Sequence, residues 1–116
     1  MENYRAPTMN WDLELATVRG RFGPLIAVTD LRGAITFDDL IARAQMLGAQ
    51  LRDSGVQPGD RVVTLVSNSR EAVWVSLGIL LSGGCEVTLN PAQGRDEQQW
   101  CASLVAPVAI VHDGPA

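Results

Sequence analysis

The chain has 116 residues, which is enough for one domain with a single hydrophobic core. Hydrophobic residues make up 47% of the chain and charged residues 19%, which is typical of a globular protein and too apolar for a disordered one. The formal net charge is -4. All nine basic residues are arginines, and they form no cluster that would attract a phosphate backbone, so nucleic acid is not expected as a partner.

The cysteines and the N-terminus give no sign of a metal site, an export signal or a membrane anchor. Cys85 and Cys101 form no CxxC pair and lack histidines at zinc spacing, so we expect two reduced thiols. The first ten residues lack the apolar core of a signal peptide, and no run approaches the roughly 18 apolar residues that a membrane span needs. A cytoplasmic location is therefore expected.

A helix and a hairpin are predicted first along the chain. Asn10 is the expected N-cap of the helix, which ends by Gly23-Pro24. Its apolar residues near one face are Leu13, Ala16 and Val18. Residues 25–30 and 34–36 are short apolar strands separated by a glycine-containing turn, which predicts a hairpin beside the main sheet.

The next segment predicts a helix followed by a buried strand. Thr36 and Asp39 have the spacing of a helix-capping box, and an apolar stripe of helical period follows. The stripe consists of Leu40, Ala44, Leu47 and Leu51. Gly55 is expected to cap the C-terminus, and Pro58-Gly59-Asp60 to turn the chain into a buried strand over residues 61–66.

The remaining elements repeat the pattern of strand and helix. Ser69 is the expected N-cap of a helix that Gly83-Gly84 ends. The apolar stripe of this helix is expected to be Val73, Trp74, Leu77, Leu80 and Leu81. A strand over 85–89, a polar helix from Arg95 to Leu104 and a strand over 108–112 follow. This βαβαβ order predicts an α/β fold with a parallel, doubly wound sheet.

In parallel sheets ligands bind beyond the carboxyl ends of the strands, so the loops at 67–69, 90–92 and 112–114 are the places to examine. Ser67-Asn68-Ser69 is interpreted as a helix cap, with an anion site as the weaker alternative because phosphate-binding glycines are missing. Neither GxGxxG nor GxxxxGK[ST] occurs between a strand and a helix. No nucleotide-binding loop of standard type is therefore predicted.

Single reactive side chains have simpler structural interpretations. His112 stands beside Asp113, but neighbours on a strand point to opposite faces, which disfavours a catalytic pair. Cys85 and Cys101 are expected to pack in the core, and Asp96-Glu97 to complement a helix dipole. The residues expected to anchor a core or an interface are Trp11, Trp74 and Trp100. No residue is predicted to be catalytic, cofactor-binding or metal-ligating.

Four stretches of sequence, in this order, resemble the N-terminal region of adenylate-forming ligases. They are ITFDDL at 35–40, GVQPGDRV at 55–62, Asn68-Ser69, and LLSGGCEVTLNP at 80–91. The family includes acyl- and aryl-CoA synthetases, peptide-synthetase adenylation domains and luciferases. In the last stretch the chain departs from the family pattern at four positions: Ser82, Gly84, Glu86 and Thr88.

The resemblance implies that residues 1–116 form a single partial domain, the start of a ligase's N-terminal domain. Such ligases activate a carboxylic acid with ATP and Mg and pass the acyl group to the thiol of CoA or of a carrier protein. The family's phosphate loop, ribose-binding aspartate and catalytic lysine have no counterpart here, and the chain contains no lysine at all. No catalytic residue carries over to this chain, so the segment alone is expected to bind none of these cofactors and to be inactive.

Three functions remain open. The first is a fragment or split-enzyme subunit of an acid-thiol ligase, with the remaining ligase chain or a second copy as partner; it predicts a sheet edge and an exposed apolar helix face around Trp74 and Leu77. The second is a non-catalytic protein-interaction module derived from a truncated ligase. The third is a small nucleotide- or acyl-binding domain, which rests on fold analogy alone.

Overall fold

The structure is a computed structural model that describes residues 10–112. Over these residues the chain forms the following elements: α1 Trp11–Phe22, β1 Ile26–Asp30, β2 Gly33–Thr36, α2 Phe37–Asp53, β3 Arg61–Leu65, α3 Arg70–Ser82, β4 Cys85–Thr88, α4 Arg95–Val105 and β5 Ala109–His112. Strands β1 and β2 pair antiparallel as a hairpin, and β3 lies between β4 and β5 in a parallel sheet of order β4-β3-β5. The predicted α/β fold, with its βαβαβ order, N-terminal helix and hairpin, is confirmed.

Local capping signals in the sequence form as predicted. The Asn10 side chain accepts a hydrogen bond from the Leu13 amide at 3.1 Å, and Thr36 Oγ1 accepts one from the Asp39 amide at 3.2 Å. Gly59 has a φ of +84°, which an L side chain adopts only with strain, and it allows the tight turn into β3. These signals depend on residues within a few positions of one another.

The buried face of α1 differs from the expectation. Leu15 is buried and Val18 packs beside it, whereas Leu13, expected on the inner face, is 62% exposed. Apolar and charged residues alternate around this helix, so the pattern did not select one side. The face expected from the sequence was wrong because the hairpin and α2, which are distant elements, determine which side is covered.

Helices α2 and α3 cross with their backbones in close approach. A Cβ added to Gly78 on α3 would lie 2.9 Å from Leu47 Cδ2 and 3.0 Å from the Ala44 carbonyl oxygen. One added to Gly48 on α2 would lie 3.0 Å from the Gly78 carbonyl oxygen. The crossing therefore depends on small side chains, and Ala44 beside it has no exposed surface.

This close approach decides which side of α3 is buried. The buried residues are Val75, Gly78, Ile79 and Ser82. Two members of the expected stripe, Val73 and Leu80, are 43% and 46% exposed. The expectation was wrong for these two residues, whereas Trp74, Leu77 and Leu81 pack against the core as expected. Because α3 is apolar on almost every side, hydrophobic period alone could not choose among its faces.

The core consists of two clusters that share one side chain. The first, between the parallel sheet and α3, contains Leu51, Val56, Val62, Val75 and Ile79. The second, among α1, the hairpin and α2, contains Leu15, Ile35, Leu40 and Ile41. Trp74 packs against both, and Leu77 packs against the second. The expected exposed face around Trp74 and Leu77 is thus wrong, because the hairpin and α1 cover it.

The two faces of the parallel sheet are covered unequally. Ala109 and Val111 pack toward the cluster under α3, so the alternation of side chains along β5 places Ile110 on the opposite face. On that face Arg61 donates a hydrogen bond to the Val105 carbonyl at the end of α4. Helices α3 and α4 therefore lie on opposite faces of the sheet, as a doubly wound fold requires. Helix α4 contributes no buried residue.

Candidate functional site

The three parallel strands end at one edge of the sheet. Thr64 pairs with Thr88, and Leu65 pairs with His112, so the loops that follow β3 and β4 lie near the end of β5. Asp113 and Gly114, which belong to the third loop expected at this edge, lie outside the described residues. In open parallel sheets ligands bind at this carboxyl edge, so the clefts beside it are the candidate sites.

A cleft of about 970 Å³ separates the hairpin turn from the loop between β3 and α3, and we call it the hairpin cleft. Four charged side chains line it: Asp30, Arg32, Arg70 and Glu71. The Arg32 guanidinium contacts Glu71 directly and lies 3.8 Å from Asp30. Arg70 Nε lies 3.8 Å from Glu71 Oε1 and 4.0 Å from Asp30 Oδ2. Two cations thus face two anions, and the cleft has no net charge from these groups.

The carboxylate of Asp30 caps helix α3 from forty residues away. One of its oxygens accepts the Arg70 amide hydrogen at 3.0 Å, and the other accepts the Arg32 amide hydrogen at 2.9 Å. The hydrogen bond from the Arg70 backbone amide is the main reason that the pKa of Asp30 lies below its usual value; partial desolvation opposes the shift. The first backbone amide of α3, that of Arg70, therefore already donates its hydrogen to the Asp30 carboxylate.

Ser69 occupies the N-cap position of α3, as predicted, but its side chain does not cap the helix. Its hydroxyl donates instead to the Ser67 carbonyl at 3.1 Å. The expectation of a side-chain cap was wrong because Asp30 reaches the same helix end from the hairpin. This partner could not be found from local sequence, since the usual signal is sought within three residues of the helix start.

Glu71 completes the charged cluster. Desolvation raises the pKa of its carboxyl, but a hydrogen bond from its own amide, together with the charge of Arg32 and the hydrogen bond that Arg32 donates, lowers that pKa below the usual value. Both carboxylates of the cleft are thus ionised at neutral pH, and neither is suited to donate a proton as a general acid. The arrangement favours attachment of the hairpin to α3 over acid-base chemistry.

The groups in the hairpin cleft do not fit the polyphosphate of ATP. A phosphate site needs uncompensated cations or free backbone amides. Here Arg32 and Arg70 already face carboxylates, and Asp30 occupies the first amide of α3. Within residues 10–112, no group of three or more His, Cys, Asp or Glu side chains is placed to hold a metal ion.

A second cavity, of about 550 Å³, lies among α2, α3 and the ends of β3 and β5. Its walls include Leu47, Val66, Trp74 and Val111, with Arg43 and His112 among the polar residues. The Trp74 Nε1 atom is buried and has no hydrogen-bond partner in the part of the chain that the structure describes. The sequence analysis did not predict this cavity. The available signal was the strand order: β4 is added on one side of β3 and β5 on the other, and ligand sites in parallel sheets form at such a switch point, here between β3 and β5.

The remaining residues singled out from the sequence are dispersed. Cys85 and Cys101 are free cysteines, and Cys85 is exposed, so the expectation of core packing was wrong for it. Strand β4 lies at an edge of the sheet, which leaves this side chain uncovered. Asp96 and Glu97 lie in the first turn of α4, where they complement the helix dipole as predicted. His112 lies in the wall of the second cavity, at the end of β5.

Comparison with known families agrees with the motifs and the fold. A family model described as "AMP-binding enzyme" matches residues 16–116, nearly the whole chain. The chain belongs to this family. None of the helices within the described residues combines the length and the apolar character needed to cross a membrane.

Curated relatives of the chain include two CoA ligases. A salicylyl-CoA synthase / salicylate adenylyltransferase from a Streptomyces species is 33% identical over 89 residues, which is 77% of this chain and 16% of that protein. A long-chain-fatty-acid–CoA ligase from Bacillus subtilis is 32% identical over 80 residues, 69% of this chain and 14% of that protein. The chain thus spans less than a fifth of the length of either relative.

Solved structures show the same fold. A benzoate CoA ligase from Burkholderia xenovorans superposes with a TM-score of 0.82 at 21% identity, over 92% of this chain and 22% of that chain. The resemblance to adenylate-forming ligases inferred from the sequence motifs is thereby confirmed, and the chain corresponds to a partial, N-terminal segment of such enzymes.

Proposed function

We propose that the chain is the N-terminal segment of an ATP-dependent carboxylic acid-thiol ligase and supplies scaffold to it. In the complete enzyme the acid and ATP give an acyl-adenylate and pyrophosphate, and the acyl group then passes to the thiol of CoA or of a carrier protein. The family match over residues 16–116 carries this proposal. The similarity to a salicylyl-CoA synthase supports the reaction class, and consumption of ATP makes the cytoplasm the proposed location.

The segment is proposed to be inactive when isolated. Transfer at the α-phosphate of ATP requires preorganised cations that stabilise the developing charge. The chain contains no lysine, and the arginines of the hairpin cleft are paired with Asp30 and Glu71. Catalytic groups are therefore assigned to the remainder of the ligase, either in the same polypeptide or in a partner chain.

ATP-pyrophosphate exchange tests this proposal. The isolated chain is expected to give no exchange, whereas co-expression with the Streptomyces salicylyl-CoA synthase lacking its matching segment is expected to restore salicylate-dependent exchange. Exchange by the isolated chain would show that it is catalytically competent. A purified complex of the two chains without exchange would exclude a role in the ligase reaction.

A non-catalytic interaction module is the second candidate function, and exposed apolar side chains on α4 and β5 favour it. In that case the isolated chain would remain monodisperse at high concentration and form no complex with a ligase remainder. Analytical ultracentrifugation of the isolated chain, followed by the same co-expression, distinguishes the two candidates.

A further inference from the structure

We infer that the outer edge of β5, together with the apolar residues beside it, is the docking surface for the remaining polypeptide of an adenylate-forming ligase. This inference rests on the proposed function and names the part of the molecule that would make the contact. The surface, which we call the α4–β5 face, consists of Trp100, Leu104, Val108, Ile110 and the backbone edge of β5.

The side chains of the α4–β5 face are large, apolar and exposed. The exposed fractions are 63% for Trp100, 66% for Leu104, 55% for Val108 and 51% for Ile110. Trp100 and Leu104 are four residues apart on α4, so they share one side of the helix. Groups of exposed apolar side chains mark interaction surfaces, whereas single ones are ordinary.

These residues lie on one side of the parallel sheet. Ile110 projects from the face opposite α3, and the hydrogen bond between Arg61 and the Val105 carbonyl holds the end of α4 over that same face. Helix α4 has no fully buried residue: Cys101, Ala102 and Val105 are partly buried, whereas Trp100 and Leu104 are largely exposed. The exposed side chains of α4 and the edge strand β5 are therefore both available to a partner.

The other edge of the sheet is less suited to docking. Strand β4 exposes Cys85 and Thr88, and its Glu86 carboxylate accepts a hydrogen bond from Thr64 Oγ1 at 2.8 Å. Charged and polar side chains on an edge strand discourage the addition of another strand. Strand β5 lacks such protection at Ile110, and its backbone edge has no partner strand within residues 10–112. The asymmetry favours strand addition at β5.

The length of the relatives identifies the occupant. The chain superposes over 92% of its own length on the benzoate CoA ligase but accounts for 22% of that enzyme, and it accounts for 16% of the salicylyl-CoA synthase. Most of each ligase therefore lies outside the segment that this chain reproduces. That remainder is long enough to supply both a strand for β5 and apolar cover for α4.

The test compares two isoleucines that are both exposed on short strands. Ile110→Arg places a charge in the α4–β5 face, and Ile26→Arg, at a residue 62% exposed on β1, is the matched control. Each variant is co-expressed with the tagged salicylyl-CoA synthase that lacks its matching segment. We expect the wild type and Ile26→Arg to be recovered as a one-to-one complex, and Ile110→Arg to reduce recovery about tenfold.

Three results would overturn the inference: no complex with the wild type, equal recovery with Ile110→Arg, or a wild-type homodimer that Ile110→Arg dissociates. The last would identify a second copy as the occupant. Circular dichroism checks that the variants fold, and Trp100→Glu, on the exposed side of α4, replaces Ile110→Arg if that variant does not. A complex that forms at this face yet gives no ATP-pyrophosphate exchange would contradict the proposed function but still support the docking surface.

Discussion

Gly78 sits where α3 touches the backbone of α2, and a methyl group there has no space. Gly78→Ala would place its Cβ 2.9 Å from Leu47 Cδ2 and 3.0 Å from the Ala44 carbonyl oxygen. Because overpacking of a tight core contact typically costs about 1–3 kcal/mol, we expect a loss of unfolding free energy of that size. Urea denaturation followed by circular dichroism measures it.

Gly20 provides the control, since a Cβ added there meets no atom within 4 Å. It lies inside α1, where alanine is a better helix former than glycine by up to about 1 kcal/mol. Gly20→Ala should therefore be neutral or stabilising. If Gly78→Ala unfolded at the same urea concentration as the wild type, the close crossing of α2 and α3 would be wrong.

Whether a residue's role could be predicted depended on how far along the chain its partner lies. Asn10 and Thr36 bond to amides three residues away, and both caps were predicted. The close contact at Gly78 involves Ala44, and the cap supplied by Asp30 reaches Arg70, so neither role is visible in a local pattern. A pair of small residues four apart on each helix, Ala44 with Gly48 and Gly78 with Ser82, was the available signal.

At the scale of elements, the start of α3 depends on the hairpin. Asp30→Ala removes the acceptor of the Arg70 amide and is expected to destabilise the protein, since the N-terminus of α3 then loses the side chain that caps it. Ser69→Ala changes the N-cap position itself but removes no cap hydrogen bond, so it should cost less. Thermal unfolding of the two variants compares them, and a larger loss for Ser69→Ala would contradict the cap from Asp30.

The effect of Asp30→Ala should also depend on pH. The pKa of Asp30 is lowered in the folded state, mainly by the Arg70 amide, so its ionised form contributes stability above the unfolded pKa of about 4. That contribution is lost as the pH falls through the lower pKa of the folded state. The difference between the wild type and Asp30→Ala should therefore be constant near neutral pH and shrink in acid; a difference that grows in acid would exclude this sign.

The charged contacts of the hairpin cleft were harder to predict from the sequence than the helices and strands on which these residues lie. The sequence identified Ser67-Asn68-Ser69 as a loop at the carboxyl edge, because strand ends follow from hydrophobic runs. It did not reveal that Arg32 from the hairpin would face Glu71 on α3, since 39 residues separate them. Charge pairing across elements follows from how the hairpin docks, and local sequence does not encode that docking.

At the scale of the whole molecule, burial is concentrated in the central strand of the parallel sheet and falls off toward α4. Val62 and Val63 in the central strand β3 have no exposed surface, whereas α4 has no buried residue. Amide hydrogen exchange of the isolated chain should therefore be slowest in β3 and fastest among the helices in α4, because local opening of α4 exposes little apolar surface. Equal protection of α3 and α4 would contradict this distribution.

The order β4-β3-β5 has a consequence for the chain as it leaves the ribosome. The strand that emerges first occupies the centre, and each later strand attaches to one of its two sides. The sheet can thus grow outward by single additions during translation, with no need to insert a strand between two that have already paired. Once β5 has paired with β3, the outer edges of β4 and β5 are the positions at which a further strand could pair.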